Sequence, residues 1–240
     1  MAEHDTNARP GISRARLAHI AAWSIDLPGD EADRACAGIV EKAYARGACI
    51  CPKNTLLESW TGVVAGLIKI GTVSPEGRSV TFTGVPAGGW FGEGTVLKGE
   101  VYRYNIQALR KSVVAGITAG TFHWLLDRSI GFNRFVMNQL NERLGQFIGA
   151  REIDRLTHPD ERVARSLAAL FHPVLYPGVG DLLRITQQEL GYLVGLSRQR
   201  VNEALTALQT AGVIQVEYGG VRVLDLERLR SYRTPDGHAN

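Results

Sequence analysis

Histidine is missing from residues 45–117, and lysine from residues 158–240. The first absence bears on metal chemistry. A metal held on β-strands wants clustered His and Glu ligands, so a cupin-like metal enzyme is a remote reading. The second bears on charge. Segment 158–240 takes its cations from arginine, which its acids match, and the whole chain carries a formal charge of only +3. A nucleic-acid contact must therefore come from local placement and not from bulk charge. Cysteine is scarce: Cys36, Cys49 and Cys51. An odd count argues against a disulfide framework, and the spacing does not suit a four-ligand zinc site. The plain reading is small apolar core residues, with a redox role left open. No run approaches the ~18 apolar residues of a membrane span; VVAGLIKI is short and contains Lys69. MAEHDTNARP has no apolar stretch of the secretory kind. We expect a cytoplasmic protein without a membrane partner.

What is present fits a globular chain of one large domain or two ordinary ones, with 45% hydrophobic and 21% charged residues among 240. Residues 1–11 read as disordered. A short helix is expected over Ile12–Ile25, stopped at Pro28 and Gly29, and a second over ADRACAGIVEKAY. From 45 to 117, short β-rich runs alternate with glycine and proline, and PEG at 75–77 reads as a hairpin turn. That texture implies a sandwich or roll. TFHWLLDRS then returns to helix, and a long helix follows over 130–157. On it Ile130, Met137, Leu140, Leu144 and Phe147 fall at a/d spacing. Met137, Leu140, Leu144 and Phe147 are the expected dimer interface. After THPDE, which Thr157 or Asp160 can cap, comes RVARSLAALF with one apolar face.

The strongest motif is ITQQELGYLVGLSRQRVNEALTALQTAGVI, residues 185–214. Thr186 with Glu189 makes a capping box, Gly195 supplies a turn where positive φ carries little penalty, and Ser197 caps a second helix. Val201, Ala204, Leu205 and Leu208 share that helix's inner face, opposite Gln199, Glu203 and Thr206. VIQVEYGGVRVLD reads as a two-stranded wing. This is a winged helix-turn-helix, whose second helix enters the major groove. Arg198 suits guanine, Gln199 adenine and Glu203 cytosine. Thr186, Gln188, Ser197 and Arg200 are placed for phosphates, with Asn202 beside the reading face.

With those residues in place, the chain resembles the CRP/FNR family of bacterial transcription regulators. The resemblance rests on ITQQELGYLVGLSRQRV and on the order of parts over roughly residues 30–230. It implies an α+β chain. Residues 12–129 would form a cyclic-nucleotide-binding-like β-roll (a double-stranded β-helix, or jelly roll) as sensor, 130–157 a dimerisation helix, and 158–240 the DNA-binding domain. It also implies a homodimer on a palindromic operator in double-stranded DNA, with RNA polymerase as a partner if the protein activates. Cyclic-nucleotide-binding members carry Phe-Gly-Glu and, ten residues after the glutamate, an arginine followed by a small hydroxyl residue. Here Phe91, Gly92, Glu93 and Arg103 match, while Tyr104 replaces the hydroxyl residue. Counting back along the long helix puts Phe147 and Ile148 where a Thr-Ser pair contacts the base. Gly92, Glu93, Arg103 and Tyr104 are thus candidate effector contacts. Two readings stay open: a cyclic nucleotide or other anionic effector, with cAMP itself disfavoured, or an effector-independent dimer. In the second, Trp90, Tyr102 or Tyr104 fills the pocket, and Glu93 and Arg103 are a structural ion pair, with Arg143 a further candidate partner.

Overall fold

The computed structural model describes residues 9–73, 79–156 and 158–234. Its first part is a roll of two antiparallel sheets. One has the order β1-β2-β9-β4-β7, with β1 Arg9–Pro10, β2 Ile39–Tyr44, β9 Ser112–Thr118, β4 Ser59–Ala65 and β7 Trp90–Phe91. The other has the order β3-β8-β5-β6, with β3 Cys49–Cys51, β8 Asn105–Ala108, β5 Leu67–Val73 and β6 Ser79–Pro86. The run TGVVAGLIKIGTV supplies both β4 and β5. Gly66, at φ +101°, turns the chain from one sheet to the other. A Cβ there would meet the Ser112 hydroxyl at 2.2 Å, so only glycine fits.

Helices cover the outer face of the first sheet: α1 Arg14–Ile20, α2 Gly29–Gly38, α4 Ala119–Arg128 and the long α5 Ile130–Ile153. Aromatic rings bind them to it. Trp60 of β4 lies 4.5 Å from Trp90 and 5.3 Å from Trp23, centroid to centroid, and Phe122 and Phe132 pack edge-on to it. Rings of this size dominate a core's burial.

The C-terminal part packs α6 Pro159–Ala169, α7 Gln187–Val194, α8 Arg198–Thr210 and α9 Leu226–Arg230 beside a small sheet, β10-β12-β11. Its strands are β10 Leu182–Leu183, β11 Ile214–Glu217 and β12 Gly220–Val223. The two parts interlock. Leu67 and Leu109 of the roll belong to the C-terminal core, while Leu175 and Tyr176, from the loop after α6, belong to the roll's core.

Five sequence expectations need correcting. ADRACAGIVEKAY is not one helix: α2 stops at Gly38 and IVEKAY becomes β2. Ile39 and Val40 are β-branched, and β2 gains a full ladder with β9 from Ile39 to Tyr44. The helix expected over Ile12–Ile25 splits into α1 and a 3₁₀ turn, Ala22–Ser24. A short helix, α3 Glu93–Lys98, interrupts the stretch read as β-rich runs. The helix after THPDE begins at Pro159 with His158, which makes no side-chain cap, in the N-cap place, so Asp160 lies in its first turn and does not cap it. Within the segment expected to be disordered, Arg9–Pro10 pairs with β2. The PEG turn and Thr157 lie outside the described residues.

Candidate nucleic-acid interface and effector pocket

The helix-turn-helix forms as its local chemistry dictates. Thr186 Oγ1 accepts from the Glu189 amide at 3.2 Å, and Glu189 accepts from the Thr186 amide at 2.8 Å. Gly195 closes α7 at φ +68°, and Ser197 Oγ accepts from the Arg200 amide to start α8. Val201, Ala204, Leu205 and Leu208 are buried. Arg198, Gln199, Asn202 and Glu203 stand exposed on the other side. Part of this polar face is self-engaged. Glu203 accepts from Arg200 at 2.5 Å and from Gln199 at 3.2 Å, and those bonds hold its carboxyl below the usual range. Gln187 donates to Asn202 at 2.7 Å. Thr186 and Ser197 are exposed and Gln188 half-buried. At the wing tip, Tyr218 is fully exposed, and Arg184 donates to its carbonyl at 3.2 Å. Neither residue was singled out in the sequence; an aromatic before the Gly219-Gly220 turn was the available signal.

The roll reaches this head through α7. Arg110, in the turn before β9, makes a two-pronged pair with Glu189, one arm at 2.8 Å. Lys69 sits 5.8 Å from the Tyr192 ring centroid. One carboxylate thus caps α7 and ties the head to the roll.

The four candidate effector residues do not converge. Glu93 is buried, 3% exposed, and Arg143 of α5 lies 3.5 Å from its Oε1. Its Oε2 has no hydrogen-bond partner among the described residues. Arg103 instead points outward and bonds to Glu100 at 3.3 Å. Tyr104 is exposed and packs edge-on against Phe82 and Tyr102. Leu57 Cδ2 lies 2.6 Å from where a Cβ on Gly92 would stand. Tyr102 is buried nearby, and burial and then the Glu93 charge raise its pKa. Trp90 belongs to the aromatic core and donates to the Ile20 carbonyl. Burial works against the Arg143 charge, but Tyr176 and Glu93 more than offset it, so its pKa is raised. Its guanidinium also donates to the Trp90 carbonyl at 2.7 Å. Burial pushes the Cys51 thiol up to about 11 and also raises those of Cys36 and Cys49.

Helix α5 is two-faced. Phe132, Val136 and Gln139 are buried against the roll. Met137 and Leu144 are each 60% exposed, with Ile130 and Phe147 also exposed. Leu140 is half-buried against the roll's core. Among the described residues, no helix is long and apolar enough to cross a membrane.

Comparison with known proteins agrees with this architecture. Residues 41–129 match the model of the cyclic nucleotide-binding domain, and 161–232 that of the Crp-like helix-turn-helix domain. The transcriptional regulator LdrP of Thermus thermophilus is 27% identical over 191 residues, covering 78% of this chain and 94% of that protein. A CRP-like cAMP-activated global transcriptional regulator of Mycobacterium tuberculosis is 26% identical over 181 residues, covering 70% and 76%. The structure of FixK2 from Bradyrhizobium japonicum shares the fold, with a TM-score of 0.66 at 17% identity, covering 83% of this chain and 99% of that one. Sensor roll, long helix and winged head in this order, with both domain models matched, make the chain a member of the CRP/FNR family of transcription regulators.

Proposed function

We propose that the protein acts as a homodimer on a two-fold symmetric DNA site, with α8 as the reading helix and α5 as the dimer seam. The carrying observation is the exposed N-terminal end of α8, where the Arg198 side chain makes no hydrogen bond or ion pair among the described residues and is free to meet a base edge. Arg198 reads guanine, Gln199 and Asn202 lie along the base edges, and Thr186, Gln188, Ser197 and Arg200 hold phosphates. Glu203 must leave Arg200 and Gln199 to take a cytosine amine. The stripe of Ile130, Met137 and Leu144 supports the dimer. These residues recur every seven positions and face solvent in the single chain. Two half-sites about one helical turn apart then follow from the symmetry.

The same geometry supports regulation without cAMP. Glu93 is engaged by Arg143, and Arg103, the cation that would meet a cyclic phosphate, lies on the surface with Glu100. Glu93 Oε2 remains a buried acceptor for a ligand hydroxyl. An activating ligand of this site is therefore recognised through Glu93 and Arg143. Selection of duplexes from a random library, followed by anisotropy titrations, tests the DNA reading. Arg198→Ala is expected to weaken the selected site by roughly 5- to 150-fold and to relax one base pair per half-site. Equal affinity of variant and wild type would remove Arg198 from the interface.

A further inference from the structure

The loop between α6 and β10 belongs to the DNA-binding part by sequence, yet its centre is buried in the sensor. Leu175 and Tyr176 are each 1% exposed, among the roll's core residues. The Tyr176 hydroxyl donates to the Gly84 carbonyl of β6 at 3.1 Å. It accepts from Arg143 at 3.2 Å and from Gln146 at 3.0 Å, both on α5. The Arg143 guanidinium lies 5.9 Å from the Tyr176 ring centroid. The roll is shaped for this insertion. A Cβ on Gly89 would lie 2.8 Å from the Tyr176 ring, and one on Gly88 would lie 2.7 Å from the Gly178 amide. Any side chain at either glycine would push the loop out. His172 shapes the loop by accepting the Val174 and Leu175 amides on Nδ1, at 3.3 and 3.2 Å.

Arg143 is thus held by Glu93, the Trp90 carbonyl and Tyr176 of the head's own loop. A guanidinium has a fixed donor fork, so it cannot turn toward one partner without loosening its hold on another. We propose that Tyr176 is a positioning residue for DNA binding: by seating between β6 and Arg143 it fixes the head's orientation on the roll, and Arg143 passes the state of the Glu93 carboxylate to that seat. This goes beyond the proposed DNA reading and rests on it. In a dimer both heads must meet half-sites at one spacing. A head freed from its seat keeps its reading helix but loses its aim.

The test compares two duplexes derived from the selected site, one palindromic and one with a single intact half-site. Tyr176→Ala is expected to weaken palindrome binding by roughly tenfold while leaving the half-site affinity within about twofold of wild type. Tyr176→Phe keeps the ring, and so should retain most of the palindrome affinity. Equal losses on both duplexes, or no loss on either, would overturn the proposal. A gain on the palindrome would overturn it too, since the seated orientation would then not be the binding one. Failure of wild type to bind either duplex refutes the DNA reading instead. A DNA-free readout covers that case: faster hydrogen exchange in Tyr176→Ala than in wild type at the Val179 amide, which bonds within the loop to the carbonyl of residue 176. Unchanged exchange there refutes the seat on its own.

Discussion

The Arg110–Glu189 pair offers the sharpest stability test of the lock between sensor and head. Glu189 is almost wholly enclosed, with 7% of its side chain exposed against 27% for Arg110. Replacing Arg110 with Met keeps the stem and removes the guanidinium, which leaves a buried carboxylate satisfied only by Thr186. Breaking a fully buried pair costs about 3–5 kcal/mol. The partial exposure of Arg110 lets water reach the carboxylate, so about 2 kcal/mol is the fitting size. In a chain of this length that lowers the melting temperature by roughly 4–8 °C. Because the carboxylate is enclosed, salt screens the pair weakly and much of the shift should survive in about 0.5 M salt. Scanning calorimetry of Arg110→Met, Glu189→Gln and the double variant closes a cycle, with an expected coupling of about 1–2 kcal/mol. If Arg110→Met melts within about 1 °C of wild type, or the two substitutions add, the pair does not hold the head to the roll.

Three further outcomes follow from the same coordinates. Leu144→Asp should convert the dimer to a monomer in light scattering, since each exposed seam side chain supplies about 1.5–3 kcal/mol when buried; a variant that stays dimeric would place the interface elsewhere. Neither cAMP nor cGMP should raise the melting temperature, and Arg103→Ala should behave as wild type with both; a nucleotide shift that Arg103→Ala abolishes would refute this. Burial lowers the His172 pKa from 6.5, against the opposing pull of Glu142, while Arg230 and Arg143 assist burial. The folded state therefore binds this proton less readily than the unfolded state, so stability is full above about 6.5 and falls as pH drops below it. His172→Gln should flatten that slope in urea titrations; an unchanged slope would show that another group carries it.

Parts of the fold that depend on neighbours along the chain were legible. The capping box of Thr186 and Glu189, the turn at Gly195 and the inner face of α8 are all set within a few residues, and the structure repeats them. What depended on distant pairing was not. IVEKAY carries helix-compatible Glu, Lys and Ala, and it becomes β2 because β9 lies beside it from Ser112 to Ile117. The a/d pattern on α5 leaves Met137, Leu144 and Phe147 exposed and Leu140 partly against the roll, and that helix has a second face. Phe132, Val136 and Gln139 bind it to its own roll, and their spacing alone does not tell an inner face from a seam.

Glu93 and Arg103 show what spacing leaves open. Glu93 and Arg103 stand ten residues apart, as in a cyclic-nucleotide cradle, yet an interval counts residues and says nothing of rotamers. Just after α3, Glu100 takes both Lys98 and Arg103 at the surface. Glu93 then meets Arg143, fifty residues on, because α5 packs beside α3. A buried carboxylate needs a cation, so once Arg103 turns outward, Arg143 must stay near Glu93. That obligation gives the pocket its reach. The cation that neutralises Glu93 is the one that hydrogen-bonds Tyr176, and so a change in charge or solvation at Glu93 acts on the head's own loop. Glu93→Gln makes the point testable apart from any ligand. It removes the charge, keeps the size and frees Arg143 from its ion pair, while Tyr176 and the Trp90 carbonyl still hold it. The coupling predicts that this variant, with the reading helix untouched, will change palindrome affinity without changing half-site affinity. If both duplexes bind Glu93→Gln as they bind wild type, Arg143 does not carry a signal from the pocket to the DNA.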